Sequence, residues 1–356
     1  MRSVKSTKSG KWSTLGTFKI LQVLAAFFMP CLILAGVAYG GDAWKDVRGV
    51  PFETQSKEIQ MPAKWLKQPI KYEKWAEQAD FAIVVDQHLY PAILPFITSY
   101  ARKNNLYIPV REGTCGIAAG MITRKEVDMA GFCCPPGLTD RLPGLHFHTL
   151  GIGAVALLVN AENPIENITM NEAREIFRGN IHRWSELKTY GGKPGPDIPI
   201  QVIGRLHCKN RPGHWTLLLK DETLFSPRMF EVGEIPDMLS HVANYKGAIG
   251  YEVPWNLIHY QRKGKVKALK IDGLSPDVPD NVISGKYSLY RTYNVTTWGD
   301  STNKNPNSRK ILDHLLGSMD SVDPVYGIIP VSRLKKAGWK FDGTELVGEP
   351  NAKTGH

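Results

Sequence analysis

The chain carries five cysteines, and their surroundings limit what they can do. Cys31 lies in an apolar run near the N-terminus. Cys115 sits in the turn Gly113-Thr-Cys-Gly116, and Cys133 and Cys134 sit in Phe132-Cys-Cys-Pro-Pro-Gly137. Cys208 sits in Gly204-Arg-Leu-His-Cys-Lys-Asn-Arg-Pro-Gly213. Three chemistries are open to the last four. In an oxidising compartment they form disulfides, with three possible connectivities. As thiolates beside His88 or His207 they suit Cu(I), Zn(II) or trivalent arsenic. As plain thiols they are small polar groups next to some other ligand.

Other reactive residues assemble less. His146 and His148 flank Phe147, and strand alternation puts both on one face, which reads as a surface strand rather than a metal pair. Glu126 with Asp128, and Asp221 with Glu222, read as solvated charges. No CxxC, CxxCH, Walker loop, GxSxG or HExxH occurs. Nothing groups a nucleophile, a base and an orienting residue, so an enzyme is not expected. The Trp and Tyr residues are expected in the core.

The elements around the cysteines alternate. Phe81–Val85 reads as a buried strand, Tyr90–Lys103 as a helix, and Leu106–Val110 as a second strand. Ile117–Thr123 starts a helix and Val127–Gly131 is a short strand. Ala154–Val159, Ile198–Ile203 and Ala248–Val253 are further strands. Thr169 with Glu172 has the spacing of a capping box, opening a helix that stops at Gly179. Strand and helix in alternation argue for a parallel α/β sheet, whose ligands bind beyond the carboxyl ends of the strands. The cysteine-bearing turns are such ends.

Residues 1–41 read as a signal peptide. Arg2, Lys5, Lys8, Lys11 and Lys19 precede the apolar run that ends at Ala38, and small residues follow. An uncleaved membrane anchor is the alternative, since the run is just long enough to span. The mature protein is expected in the periplasm. The net charge is +10, and those five residues supply half of it. No dense Arg/Lys cluster with interleaved aromatics occurs, so nucleic acid is not an expected partner. Residues 42–77 read as a polar N-terminal extension.

Four passages, in order, resemble the phosphate-binding protein family of bacterial phosphate ABC transporters. They are Asn160–Pro164 with Ile168-Thr169 and Glu175–Trp184; Ile198–Arg205; Asn244–Tyr251; and Gly285–Arg291. The resemblance covers residues 78–340. It implies the type II periplasmic binding protein fold, an α/β protein of two lobes joined by hinge strands around a ligand cleft. Residues 78–155 plus 255–340 would form lobe 1 and 156–254 lobe 2, with 341–356 a C-terminal tail. It also implies a small anionic ligand, an ABC transporter permease as partner, and no required cofactor.

The loops that the resemblance assigns to the ligand depart from the family. They correspond to Asp86–Leu89, Gly113–Gly116, Cys133–Pro135 and Arg205–Arg211. The Ser-Asp pair expected in the third is replaced by Cys133-Cys134, and the Gly-Ser-Gly-Thr of the fourth by His207-Cys-Lys-Asn-Arg211. Thr114 and Arg205 survive for an oxyanion, joined by Arg111, Lys209 or Arg211. All four cysteines beyond the signal fall on these loops. The ligand set expected is therefore Thr114, Cys115, Cys133, Cys134, Arg205, His207, Cys208 and His88. Alternation makes only one of Cys133 and Cys134 face the ligand. Three thiols, with Cys115, Cys133 and Cys208 as the metal set, would then hold a metalloid or soft metal. The protein reads as a solute-binding protein for an oxyanion or a thiophilic ligand. A sensor of arsenite or a soft metal that signals to a membrane protein, and a thiol redox protein, remain alternatives.

Overall fold

The computed structural model describes residues 58–137, 140–187, 194–207, 211, 213–299 and 303–350. The expected signal peptide, residues 42–57 of the N-terminal extension, Cys208, Lys209 and the last six residues of the tail lie outside the described residues.

Two sheets carry the architecture. The first begins with β1 (Ile83–Asp86), α1 (Tyr90–Asn104), β2 (Val110–Gly113), α2 (Cys115–Thr123) and β3 (Met129–Phe132). Then comes the long strand β4 (Leu145–Ala154), which continues almost at once into β5 (Ala156–Asn160) of the second sheet. Helix α3 (Met170–Arg178), β6 (Gln201–Gly204), β7 (Phe230–Glu231), α4 (Ile235–Asn244), β8 (Ala248–Glu252) and β9 (Val266–Ala268) follow. The chain returns to the first sheet with β10 (Tyr290–Trp298), helix α5 (Ser308–Ser318) and β11 (Ile329–Pro330). Strand order is β11-β4-β10-β3-β1-β2 in one sheet and β9-β5-β8-β6-β7 in the other. Strands β1, β2 and β3 pair in parallel, as do β6, β7 and β8. Strands β4, β5, β9, β10 and β11 pair antiparallel, so the sheets are mixed rather than parallel throughout. Strand β9 belongs to the second sheet although it lies past residue 254.

Each sheet has its own apolar core, one around Phe81–Val85 and Ile93, the other around Leu157, Phe177 and Trp184. The large buried side chains include Trp184, Trp298, Tyr251, Tyr287 and Tyr293, as expected. The chain crosses between the sheets at Val155 and again before Leu289. There Val155 N donates to Leu289 O at 2.8 Å, and Tyr287 Oη donates to Val155 O at 2.8 Å. The two crossings are thus tied side by side, which is what a hinge of two strands requires.

Local signals behave as the residues dictate. Thr169 and Glu172 form the complete capping box of α3, and Gly179 ends that helix with φ +84°, a conformation that favours glycine. Strand β2 starts at Val110, later than expected. Pro109 offers only its carbonyl, which accepts from Ile83 N at 3.1 Å, and it has no N–H to complete a ladder. His146 and His148 do share the outer face of β4; His148 contacts the hydroxyls of Thr344 and Thr297. Asp128 is not solvated. It is buried and accepts from Tyr72 Oη at 2.6 Å and Ala82 N at 2.7 Å.

The described end of the N-terminal extension is docked on the first sheet. Lys125 Nζ, buried, donates to Trp65 O and Gln68 O at 2.8 and 2.7 Å and sits 4.1 Å from the Trp65 ring. A desolvated cation over an indole contributes about 2 kcal/mol, in addition to its hydrogen bonds. No described helix is long and apolar enough to cross a membrane.

Candidate functional site

Most groups of the site lie at or beyond the carboxyl end of a strand, the place a doubly wound sheet offers to ligands; Arg291, near the start of β10, is an exception. Asp86 ends β1, and its Oδ1 accepts from His88 N at 2.9 Å, turning the chain so that His88 Nδ1 also faces Oδ1 at 3.0 Å. Beyond β2, Thr114 caps α2 by accepting from Ile117 N at 3.2 Å, and Cys115 becomes the first residue of that helix. Cys133 and Cys134 follow β3. Arg205 follows β6, and Glu252 ends β8.

Three sulphurs converge. Cys115 Sγ lies 3.3 Å from Cys133 Sγ and 3.3 Å from Cys134 Sγ. All three residues are buried and none is in a disulfide. Cys133 and Cys134 both take part, contrary to the alternation argument. Extended geometry ends at Phe132, and the chain bends through 133–134, so alternate residues no longer point to opposite faces. Among the described residues, the three converging sulphurs all come from the first sheet's own loops; Cys208 lies outside the described residues.

The charges around this cluster are unequal. Cys115 and Cys133 are pushed well up by burial. Cys134 is held well below the ordinary thiol range by its hydrogen-bond contacts with Cys115 and Cys133 and by the Arg211 guanidinium beside it; Cys115 Sγ also lies 3.4 Å from Asp86 Oδ2. Arg211 Nε lies 3.3 Å from Cys134 Sγ and its Nη2 donates to Pro135 O at 3.3 Å. Its guanidinium also stacks 3.9 Å from the Phe132 ring centroid and pairs with Asp140 at 2.5 Å. Cys134 therefore has the environment of a thiolate with two neighbouring thiols.

Across from the sulphurs lies a salt-bridged group from the second sheet. Arg205 Nη2 donates to Glu252 Oε2 at 3.1 Å, and Glu252 Oε1 stands 3.2 Å from His88 Nε2. Burial opposes the Glu252 charge, but Arg205 and His88 outweigh it and hold the carboxyl well below its usual range. His214 sits next to His88, with ring centroids 5.2 Å apart, and its Nε2 accepts from Arg291 Nη1 at 3.1 Å. Burial and Arg291 together push His214 well below the usual imidazole range. A cavity of about 20 Å³ lies among these groups. That is room for about one water-sized centre.

Of the residues expected from sequence, Thr114, Cys133, Cys134, Arg205, His207 and His88 line this cavity. Cys115 stands behind them as the third sulphur. Arg111 is not in the cleft; it is half exposed, near Glu73 and Trp75. Sequence reading missed Glu252, His214 and Arg291. Glu252 had one signal, an acidic residue at the end of the apolar run Ala248–Tyr251. Arg291 closes the fourth passage of the family resemblance, which marked the segment but gave it no role; His214 had no signal, because its role depends on contacts far along the chain.

Comparison with known proteins agrees with this architecture. Residues 73–305 match the family described as a PBP superfamily domain. The chain is 27% identical over 190 residues to the phosphate-binding protein PstS of Bacillus subtilis, covering 53% of this chain and 58% of that protein. It thus spans little more than half the length of that relative. It is 23% identical over 278 residues to the protein SphX of Synechococcus elongatus, covering 69% of this chain and 80% of that one. Among solved structures, a putative phosphate ABC transporter substrate-binding protein with bound phosphate from Clostridium perfringens aligns at TM-score 0.59 and 18% identity. That alignment covers 70% of this chain and 99% of the other. An ABC-type phosphate transport receptor from Vibrio cholerae aligns at TM-score 0.55 and 20% identity, with the same coverage of each chain. Both share the two-lobed fold.

Proposed function

Since the chain belongs to the PBP superfamily, we propose that it is an exported solute-binding receptor whose cleft captures a thiophilic species on Cys115, Cys133 and Cys134. The observation that carries this reading is the convergence of three buried, unbridged sulphurs at the cleft. Two of the sulphur pairs are 3.3 Å apart. With metal–sulphur bonds of about 2.3 Å, a tetrahedral ion spaces its sulphurs about 3.8 Å apart, whereas a pyramidal centre with near-right angles spaces them about 3.3 Å apart. Trivalent arsenic is such a centre. Its capture from arsenite breaks three As–O bonds and forms three As–S bonds. The three hydroxyls leave as three waters, two taking the thiol protons of Cys115 and Cys133 and the third a proton from solvent, while the Cys134 thiolate bonds directly. The receptor would pass this ligand to an ABC transporter permease or report it to a membrane sensor from the periplasm.

A second reading has one observation of its own. Arg205 Nε is buried and has no hydrogen-bond partner among the described residues, so a donor is left for an oxyanion. Relatives named for phosphate point the same way. Against it, Glu252 already neutralises Arg205, and the closed cavity is smaller than a five-atom anion.

A thermal-shift panel separates the two. Phosphate, arsenate, arsenite, Zn(II) and Cu(I) are each added with and without reductant. A shift with arsenite that vanishes when Cys115, Cys133 and Cys134 are replaced by serine supports the receptor for a thiophilic ligand. A shift with phosphate alone, kept in the serine variant, restores a plain oxyanion receptor.

A further inference from the structure

We propose that His88, Cys133 and His214 form a second cation site that is complete only when the lobes are closed, and that a cation of the Zn(II) or Cu(I) class captured there latches the cleft. The inference rests on the receptor reading for lobe movement, and on nothing about the three-sulphur ligand.

The donor atoms of these three residues lie within 4.8 Å of one another. They line the same small cavity, which has room for one ion. A set of two imidazoles and one thiolate suits borderline and soft cations and disfavours Mg(II) or Ca(II). The environment around the set is that of a metal site. Asp86 Oδ1 takes His88 Nδ1, leaving Nε2 as the ligand atom, in the carboxylate–histidine arrangement that fixes ligand rings. Glu252 Oε1, 3.2 Å from that Nε2, offsets the ion's charge or completes its shell. His214 Nε2 carries a lone pair that now accepts from Arg291; a cation would take the same lone pair.

The three donors have different origins. His88 and Cys133 follow β1 and β3 of the first sheet, whereas His214 lies between β6 and β7 of the second. One ion on all three therefore binds the closed form better than the open form, which is the differential affinity that shifts a population. The sulphurs of Cys115, Cys133 and Cys134 come from one sheet alone, and a ligand there needs no closure. Cys133 belongs to both sets. The two ligands must then exclude each other.

The test titrates Zn(II) into the reduced protein by calorimetry and follows the radius of gyration by small-angle scattering. One ion per chain is expected, with a smaller radius on binding. His214→Asn keeps an acceptor for Arg291 and removes the imidazole ligand; it should weaken zinc by at least about tenfold and abolish the contraction. Its melting temperature without metal checks that it folds, and His88→Gln serves as the independent second variant. Prior loading with arsenite should block zinc. Zinc affinity indifferent to both histidine variants overturns the proposal. So does zinc binding lost in Cys115→Ser as fully as in His214→Asn, because zinc then uses the three sulphurs. Failure of arsenite to bind the wild type sinks the three-sulphur reading alone and leaves the zinc measurements decisive for this one.

Discussion

Arg205 Nη2 stands 3.1 Å from Glu252 Oε2, at the carboxyl ends of two neighbouring parallel strands, and both side chains are buried. The arginine that the family resemblance assigns to an oxyanion is thus already matched by a carboxylate of the same lobe. A buried guanidinium paired in this way gives up little net charge to a second anion. Glu252→Gln would release it. Phosphate affinity should then rise by about tenfold, or about 1.4 kcal/mol, while stability falls by about 3 kcal/mol because a buried pair has lost one partner. Calorimetry with phosphate and thermal melting check the two parts. Unchanged phosphate affinity in this variant would show that Arg205 is not a ligand.

Cys134 should titrate as a thiolate well before an ordinary cysteine does. Its thiolate is held by hydrogen-bond contact with Cys115 and Cys133 and by Arg211. With Cys31 and Cys208 replaced by serine, following thiolate absorbance against pH should reveal Cys134 deprotonating below the usual range and Cys115 and Cys133 above it. Arg211→Gln should move the early step toward the ordinary value. If the three cysteines titrate together, the asymmetry argued from Arg211 is wrong.

Acid should loosen the C-terminal hairpin, whose strands Lys340–Asp342 and Glu345–Gly348 pair antiparallel. Burial lowers the pKa of His148 to about 4, and its ring contacts Thr344 and Thr297. A folded pKa below the unfolded value of about 6.5 means that the unfolded chain binds more protons between these limits. Stability from this group is therefore full above about pH 6.5 and declines toward pH 4, by at most about 3 kcal/mol. Melting curves across that window should show the loss, and His148→Gln should flatten it. An equal slope in both proteins would remove His148 from the account.

The parts of this molecule that local chemistry decides were legible in the sequence. Thr169 and Glu172 are three residues apart, and their spacing alone implies the capping box that α3 has. The turns after β2, β3 and β6 were marked by Gly, Pro and Cys at the ends of apolar runs, and with the turn after β1 they carry the site. Cys133 and Cys134 show where such reading stops. Their identities were visible, but the bend that turns both sulphurs toward Cys115 depends on neighbours such as Asn294, which donates to Cys134 O at 3.4 Å from 160 residues away. Glu252 and His88 are 164 residues apart and meet only because the ends of β1 and β8, from different sheets, face each other. No spacing rule connects them.

The central claim is that three sulphurs of one lobe hold the ligand, and arsenic X-ray absorption on the arsenite-loaded, reduced protein tests it most directly. The scattering shell around arsenic should contain three sulphurs at about 2.3 Å and no oxygen, and Cys115→Ser should exchange one sulphur for oxygen. A shell of oxygen atoms alone, or a three-sulphur shell that survives loss of Cys115, would contradict the account.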